Sequence, residues 1–187
     1  MIRLGLQLVV LALCIACRAS QERESSSVSS DSDEYRDYIT AYAVSSIVRT
    51  IYDQEIGGRS KTLFDGSASC PVEGSVWIAG EARIRQVKSG TTELNLSYDF
   101  KNCRVKNEYY DLIITGKVSE TGKLNDATSR DTLTFHADHL VMVGTLIKAS
   151  STIDFDCEVD IASTSITGNG NREEFTGKIC ARIVSNP

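Results

Sequence analysis

The chain has 187 residues, 41% hydrophobic and 24% charged, the composition of an ordinary globular protein with enough length for one domain and a sizeable core. Its formal net charge is −5. That balance argues against a nucleic-acid partner, because phosphate binding needs a basic surface.

Residues 1–16, MIRLGLQLVVLALCIA, read as a targeting segment. Arg3 supplies the positive start and Leu4–Ile15 the apolar run, which is too short to span a bilayer stably as a helix. Leu13-Cys14-Ile15-Ala16-Cys17 resembles the lipobox of bacterial lipoproteins, with Cys14 standing where leucine is usual. The resemblance implies cleavage before Cys17, acylation of Cys17 and anchoring in a membrane. Arg18 rather than Asp after that cysteine implies, by the same resemblance, the outer membrane of a cell envelope, facing the periplasm or the surface. The alternative is an ordinary signal peptide cut after Ala16 or Ala19, giving a secreted or periplasmic protein. Cysteines stand at 14, 17, 70, 103, 157 and 180. Removal of Cys14 and lipidation of Cys17 leave an even set, Cys70, Cys103, Cys157 and Cys180, suited to two disulfides in an oxidising compartment.

Residues 17–33 are expected to form the lipidated cysteine and a flexible Ser-rich tether, since so polar a stretch cannot bury enough surface to offset its ordering entropy. Residues 34–187 are expected to form a single domain. A helix is expected over 33–56, where Tyr35, Tyr38, Ile39 and Tyr42 fall at i, i+3, i+4, i+7 and Val44, Ile47, Val48, Ile51 and Tyr52 continue the stripe. Ser30, Asp31 or Ser32 would cap it, and Gly57-Gly58 would stop it. Its apolar stripe is expected to pack on a sheet.

Residues 59–73 read as a loop. A first strand follows over 74–86, with Gly80 marking a bulge or a close backbone approach. The second covers 92–105. Leu94, Leu96, Tyr98 and Phe100 alternate with polar residues, and a bulge near Lys101-Asn102 would return Cys103 and Val105 to the apolar face. The hairpin register then brings Cys103 near Cys70, and that bridge is expected. Tyr110, Leu112, Ile114 and Val118 make the third strand, 119–131 a polar connection, and Leu133 to about Ile147 the fourth strand. Ile153, Phe155, Cys157, Val159 and Ile161 make the fifth, and Phe175 to Ile183 the last, after the turn signal Gly168-Asn169-Gly170. Two short segments echo each other: Ile114-Thr115-Gly116-Lys117-Val118 and Phe175-Thr176-Gly177-Lys178-Ile179. Cys157 and Cys180 are the second expected pair, although alternation puts them on opposite faces, so a slip or bulge is required. The fold expected is α+β, mainly β: one N-terminal helix packed on about six antiparallel strands, as a curved sheet or a sandwich.

Few residues suggest chemistry. His136, Asp138 and His139 form H-x-D-H, where a strand would put His136 and Asp138 on one face and turn His139 away. His136 and Asp138, with Asp154 and Asp156, are the metal candidates, short of the converging ligands that a zinc site needs. Asp154, Asp156, Glu158 and Asp160 line one face of the fifth strand, where Lys178 and Arg182 of the next can pair with them. Trp77, Tyr109 and Tyr110 could make a stacking surface for a sugar. No nucleophile motif, P-loop, dinucleotide fingerprint or CxxC is present, so no catalytic residue and no cofactor are expected, and no ligand-binding residue is assigned. The expectation is a non-enzymatic cell-envelope lipoprotein, structural or protein-binding, whose partners are the membrane, through its lipid, and an envelope protein or lipid. The alternatives are a carrier of lipid or another apolar ligand between helix and sheet, and an enzyme using His136 and Asp138.

Overall fold

The computed structural model describes residues 28–58, 63–86, 90–125, 130–166, 172–184 and 186. The targeting segment, Cys17 and the tether up to residue 27 lie outside them. The chain divides into two compact units, Met1–Asp33 and Glu34–Pro187. The second carries the sheet.

Helix α1 spans Val28–Glu55. It starts before the expected residue 33, so Ser30, Asp31 and Ser32 lie inside it rather than capping it. At its end the Gly57 N–H donates to the Tyr52 carbonyl, and Gly58 takes the left-handed conformation, φ 73°, as glycine does after a helix. Among the described residues no helix is long and apolar enough to cross a membrane.

The strands are β1 Leu63–Ser69, β2 Glu73–Gln86, β3 Thr91–Lys106, β4 Tyr110–Asn125, β5 Arg130–Leu146, β6 Ser151–Ile166, β7 Arg172–Ile179 and β8 Arg182–Ile183. They form one antiparallel sheet in sequence order, each strand paired with its chain neighbours. The fold class is therefore the expected one, with eight strands rather than about six among the described residues. Part of the expected loop 59–73 is β1, an edge strand with Phe64 buried and Ala68 half-buried against the core. Part of the expected connection 119–131 is the second half of β4, where Glu120 and Leu124 are buried.

The sheet curls around the helix. Ala43, Val44, Ile47, Val48 and Ile51 are fully buried, and so, nearly, are Asp37, Thr40 and Ser45; at 3.6 residues per turn the arc from Ala43 round to Ser45 takes in roughly 200° of the helix. One flat sheet could cover only one side. Bulges and glycines supply the bend. A register shift between Phe100 and Cys103, with Asn102 at φ 48°, is the expected bulge in β3, and it buries Cys103 and Val105. The echoed segments share one device: Gly116 (φ 124°) and Gly177 (φ 120°) lie where a Cβ would overlap the backbone carbonyl oxygen of the neighbouring strand, at His139 and Asp160. Only glycine tolerates both the conformation and the approach. At the β8 side, where β7 outruns its partner, Asn186 replaces a strand: the Phe175 N–H donates to its Oδ1 (2.6 Å) and its Nδ2 donates to the Phe175 carbonyl (2.9 Å).

Both expected disulfides are formed, Cys70–Cys103 and Cys157–Cys180. The parity conflict at the second is resolved by a turn. Cys180 and Ala181 both take positive φ, 51° and 62°, as the central pair of a tight hairpin turn between β7 and β8 does. Cys180 thus leaves the strand just where its Sγ must swing to Cys157, while its N–H still donates to the Glu158 carbonyl (3.0 Å).

Candidate binding groove

The coil of the sheet leaves one stripe of α1 uncovered. Tyr38, Tyr42, Ser45, Ser46, Arg49 and Asp53 recur at helical spacing and form the floor of a cavity of about 620 Å³. Tyr109, from the β3–β4 connection, stands at the cavity, and Asp131, Leu133, Ser165 and Glu173, from β5, β6 and β7, also line it. Every one of these residues belongs to the unit Glu34–Pro187.

Small hydroxyl side chains let the helix sit this close to the strands. Glu173 Oε1 accepts hydrogen bonds from Ser45 Oγ (2.6 Å) and Ser163 Oγ (2.9 Å), and both serines are buried. The Tyr38 hydroxyl donates to the Glu173 carbonyl at 3.3 Å, and the Tyr110 hydroxyl donates to Ser46 Oγ at 3.0 Å. The Tyr42 and Tyr109 rings stand 5.1 Å apart, tilted by 50°. Burial, then the neighbouring Tyr109, Tyr110 and Glu173, raise the Tyr42 phenol above its ordinary pKa, so it stays a neutral donor. Arg49, the base of the lining, pairs with Asp131 (3.4 Å) and Asp53 (3.2 Å) and lies over the Tyr52 ring.

A buried carboxyl, Glu120 on β4, sits close enough to Arg49 and Asp53 to feel their charges. Its Oε2 accepts the Tyr98 hydroxyl at 2.7 Å, and its Oε1 has no partner among the described residues. Burial pushes its pKa up to about 7, against the downward pull of the Tyr98 hydrogen bond and Arg49. Burial and the Glu120 carboxyl in turn push the Tyr98 phenol far above its ordinary value.

Of the candidates singled out in the sequence, Tyr109 lines the groove and the others lie elsewhere. A register shift between Ala137 and Leu140 turns both Asp138 and His139 outward, so His139 shares the exposed side with His136 instead of pointing away. His136 Nε2 lies 3.2 Å from Asp138 Oδ1, and His139 Nδ1 lies 3.5 Å from Asp156 Oδ1. Asp154, Asp156, Glu158 and Asp160 are exposed on β6, and among the described residues no three metal-ligating side chains converge. Asp160 stands opposite Lys178 in the strand register. Arg182 does not join them: it donates twice to Asp37 on the helix, at 2.9 and 2.7 Å. Trp77 is exposed and donates to Asp65 (3.1 Å), whereas Tyr110 is in the core, so the three aromatics form no common surface. Cys17 lies outside the described residues.

The acids in and near the groove follow the parity of their strands. Glu173 is two positions from buried Phe175, Asp131 two from buried Leu133 and Glu120 two from buried Val118. Period two alone turns all three acids inward. Compared with known proteins, the chain matches no family model, no curated protein and no solved structure.

Proposed function

We propose that the protein is a non-enzymatic lipoprotein of a bacterial cell envelope, held by an acylated Cys17, whose folded unit works by binding a ligand or partner along α1. The cavity of about 620 Å³ carries this reading, since it falls within the size range of small-molecule sites and combines aromatic walls with placed polar groups. The two disulfides suit an oxidising compartment. His136 and Asp138 supply less support for catalysis, being 47% and 88% exposed on the outer side of β5 and paired with each other. An apolar cargo between helix and sheet draws less support too, because that interior is filled by Val44, Ile47, Val48 and Ile51, while the cavity has charged and hydroxyl lining.

Mass spectrometry of the natively expressed protein tests the reading in one measurement. The expected result is an N-terminus at Cys17 carrying more than one acyl chain, and a small molecule or protein retained under gentle extraction. An unmodified Cys17 would remove the membrane address, and a species that never carries a partner would remove the binding role.

A further inference from the structure

We infer that the groove along α1 binds a small organic cation through an ammonium group, with Glu173 as its counter-charge and Tyr38, Tyr42 and Tyr109 as its aromatic walls. This rests on the reading of the groove as a binding site. The charge balance comes first. Among the described residues the lining holds one base, Arg49, against three acids, Asp53, Asp131 and Glu173, a formal excess of two negative charges. Arg49 is engaged by Asp53 and Asp131. Glu173 is partnered by two neutral hydroxyls, Ser45 and Ser163, both donating to the same oxygen, Oε1. A half-buried carboxylate beside buried serines and a helix, held among the described residues by neutral donors, favours an arriving cation and disfavours an anion.

The aromatic side points the same way. The face of a tyrosine ring attracts cations, and the attraction strengthens where water is excluded. The protein already makes this contact next to the groove, where the Lys148 ammonium stands 5.4 Å from the centre of the Tyr109 ring. Lys148 is itself exposed, so it sits at the rim and leaves the groove acidic. A metal ion fits poorly, since no three metal-ligating side chains converge among the described residues. A diffuse ammonium, which needs one carboxylate and ring faces rather than a tight ligand set, matches the spacing.

The test is calorimetric titration of the full-length protein in detergent with choline and with cadaverine, and with 3,3-dimethyl-1-butanol as the uncharged analogue of choline. One-to-one binding of at least one ammonium probe is expected, with none of the uncharged analogue. Glu173→Gln keeps an oxygen for both serines but removes the charge, and it should weaken binding at least tenfold. Tyr42→Leu, which leaves Glu173 and its serines in place, should weaken it by a similar factor. Should Glu173→Gln fail to fold, the Tyr42→Leu titration and the comparison of choline with its neutral analogue decide alone. Binding of neither ammonium probe, or equal binding of the neutral analogue, overturns the inference. If native mass spectrometry then still finds another class of molecule lost in Tyr42→Leu, the cation is wrong and the groove remains a binding site. If it finds nothing, both readings fail.

Discussion

Replacing Glu120 by glutamine removes one proton site from the core and almost nothing else. Glu120 is fully buried, and its carboxyl holds its proton up to about pH 7 instead of the ordinary 4.5, because burial penalises the charged form more than Tyr98 and Arg49 favour it. The sign follows directly. Below pH 4.5 the group is protonated in folded and unfolded chains alike, so it adds no pH dependence. Between 4.5 and 7 the unfolded chain ionises while the folded one keeps its proton, and stability falls as pH rises. Above 7 both are ionised and the loss is complete, at about 3 kcal/mol for a difference of this size.

Glu120→Gln cannot ionise and is spared that loss. It has a cost of its own, since the amide nitrogen occupies the place where Oε1 has no partner among the described residues, about 1–3 kcal/mol and independent of pH. Urea unfolding at a series of pH values, disulfides intact, measures both proteins. Stability of the variant minus that of the parent is expected to rise by about 3 kcal/mol between pH 4.5 and pH 8, with most of the rise between 5 and 7. Groups elsewhere cancel in the difference because they titrate in both proteins. A difference that stays flat across this range would refute the reasoning and mean that Glu120 is ionised in the fold, with a counter-charge or water at Oε1.

Further substitutions probe how the sheet is closed onto the helix. Arg182→Ala leaves the Asp37 carboxylate, 6% exposed, without its two hydrogen bonds, and denaturant unfolding should show a loss of about 2–3 kcal/mol. Asp37→Ala on the same background should recover a large part of it, as removing both partners of a buried pair does. Gly177→Ala should lose about 2 kcal/mol or more in thermal unfolding, because φ is 120° and the new Cβ overlaps the Asp160 carbonyl oxygen. Gly66→Ala in edge strand β1 meets nothing within 4 Å and should stay within about 0.5 kcal/mol.

What could be read from the sequence, and what could not, follows from one physical distinction. Alternation is visible where inward positions are apolar. Leu94, Leu96, Tyr98 and Phe100 announce β3, and Val159 and Ile161 announce the core face of β6. The same rule predicted the Asn102 bulge, because Cys103 and Val105 would otherwise face water. Alternation goes silent where an inward position is polar. Glu120 breaks the pattern in the second half of β4, so that half reads as a connection although it is paired on both sides. Strand β1 is silent for another reason: as an edge strand it buries Phe64 and leaves Ala68 half-buried. Polar residues at inward parity are costly unless something compensates them. The exceptions, Glu120, Asp131 and Glu173, fall in or near the groove rather than being scattered through the core. The curl that assembles the groove depends on Gly116 and Gly177, whose neighbours lie far away in the chain. A sequence pattern shows that a glycine interrupts a strand, but not that its backbone meets a carbonyl of the next one. The positions where strand periodicity breaks are therefore the ones to test first for binding, since an inward acid persists only where hydroxyls, a base or an arriving ligand offset its burial.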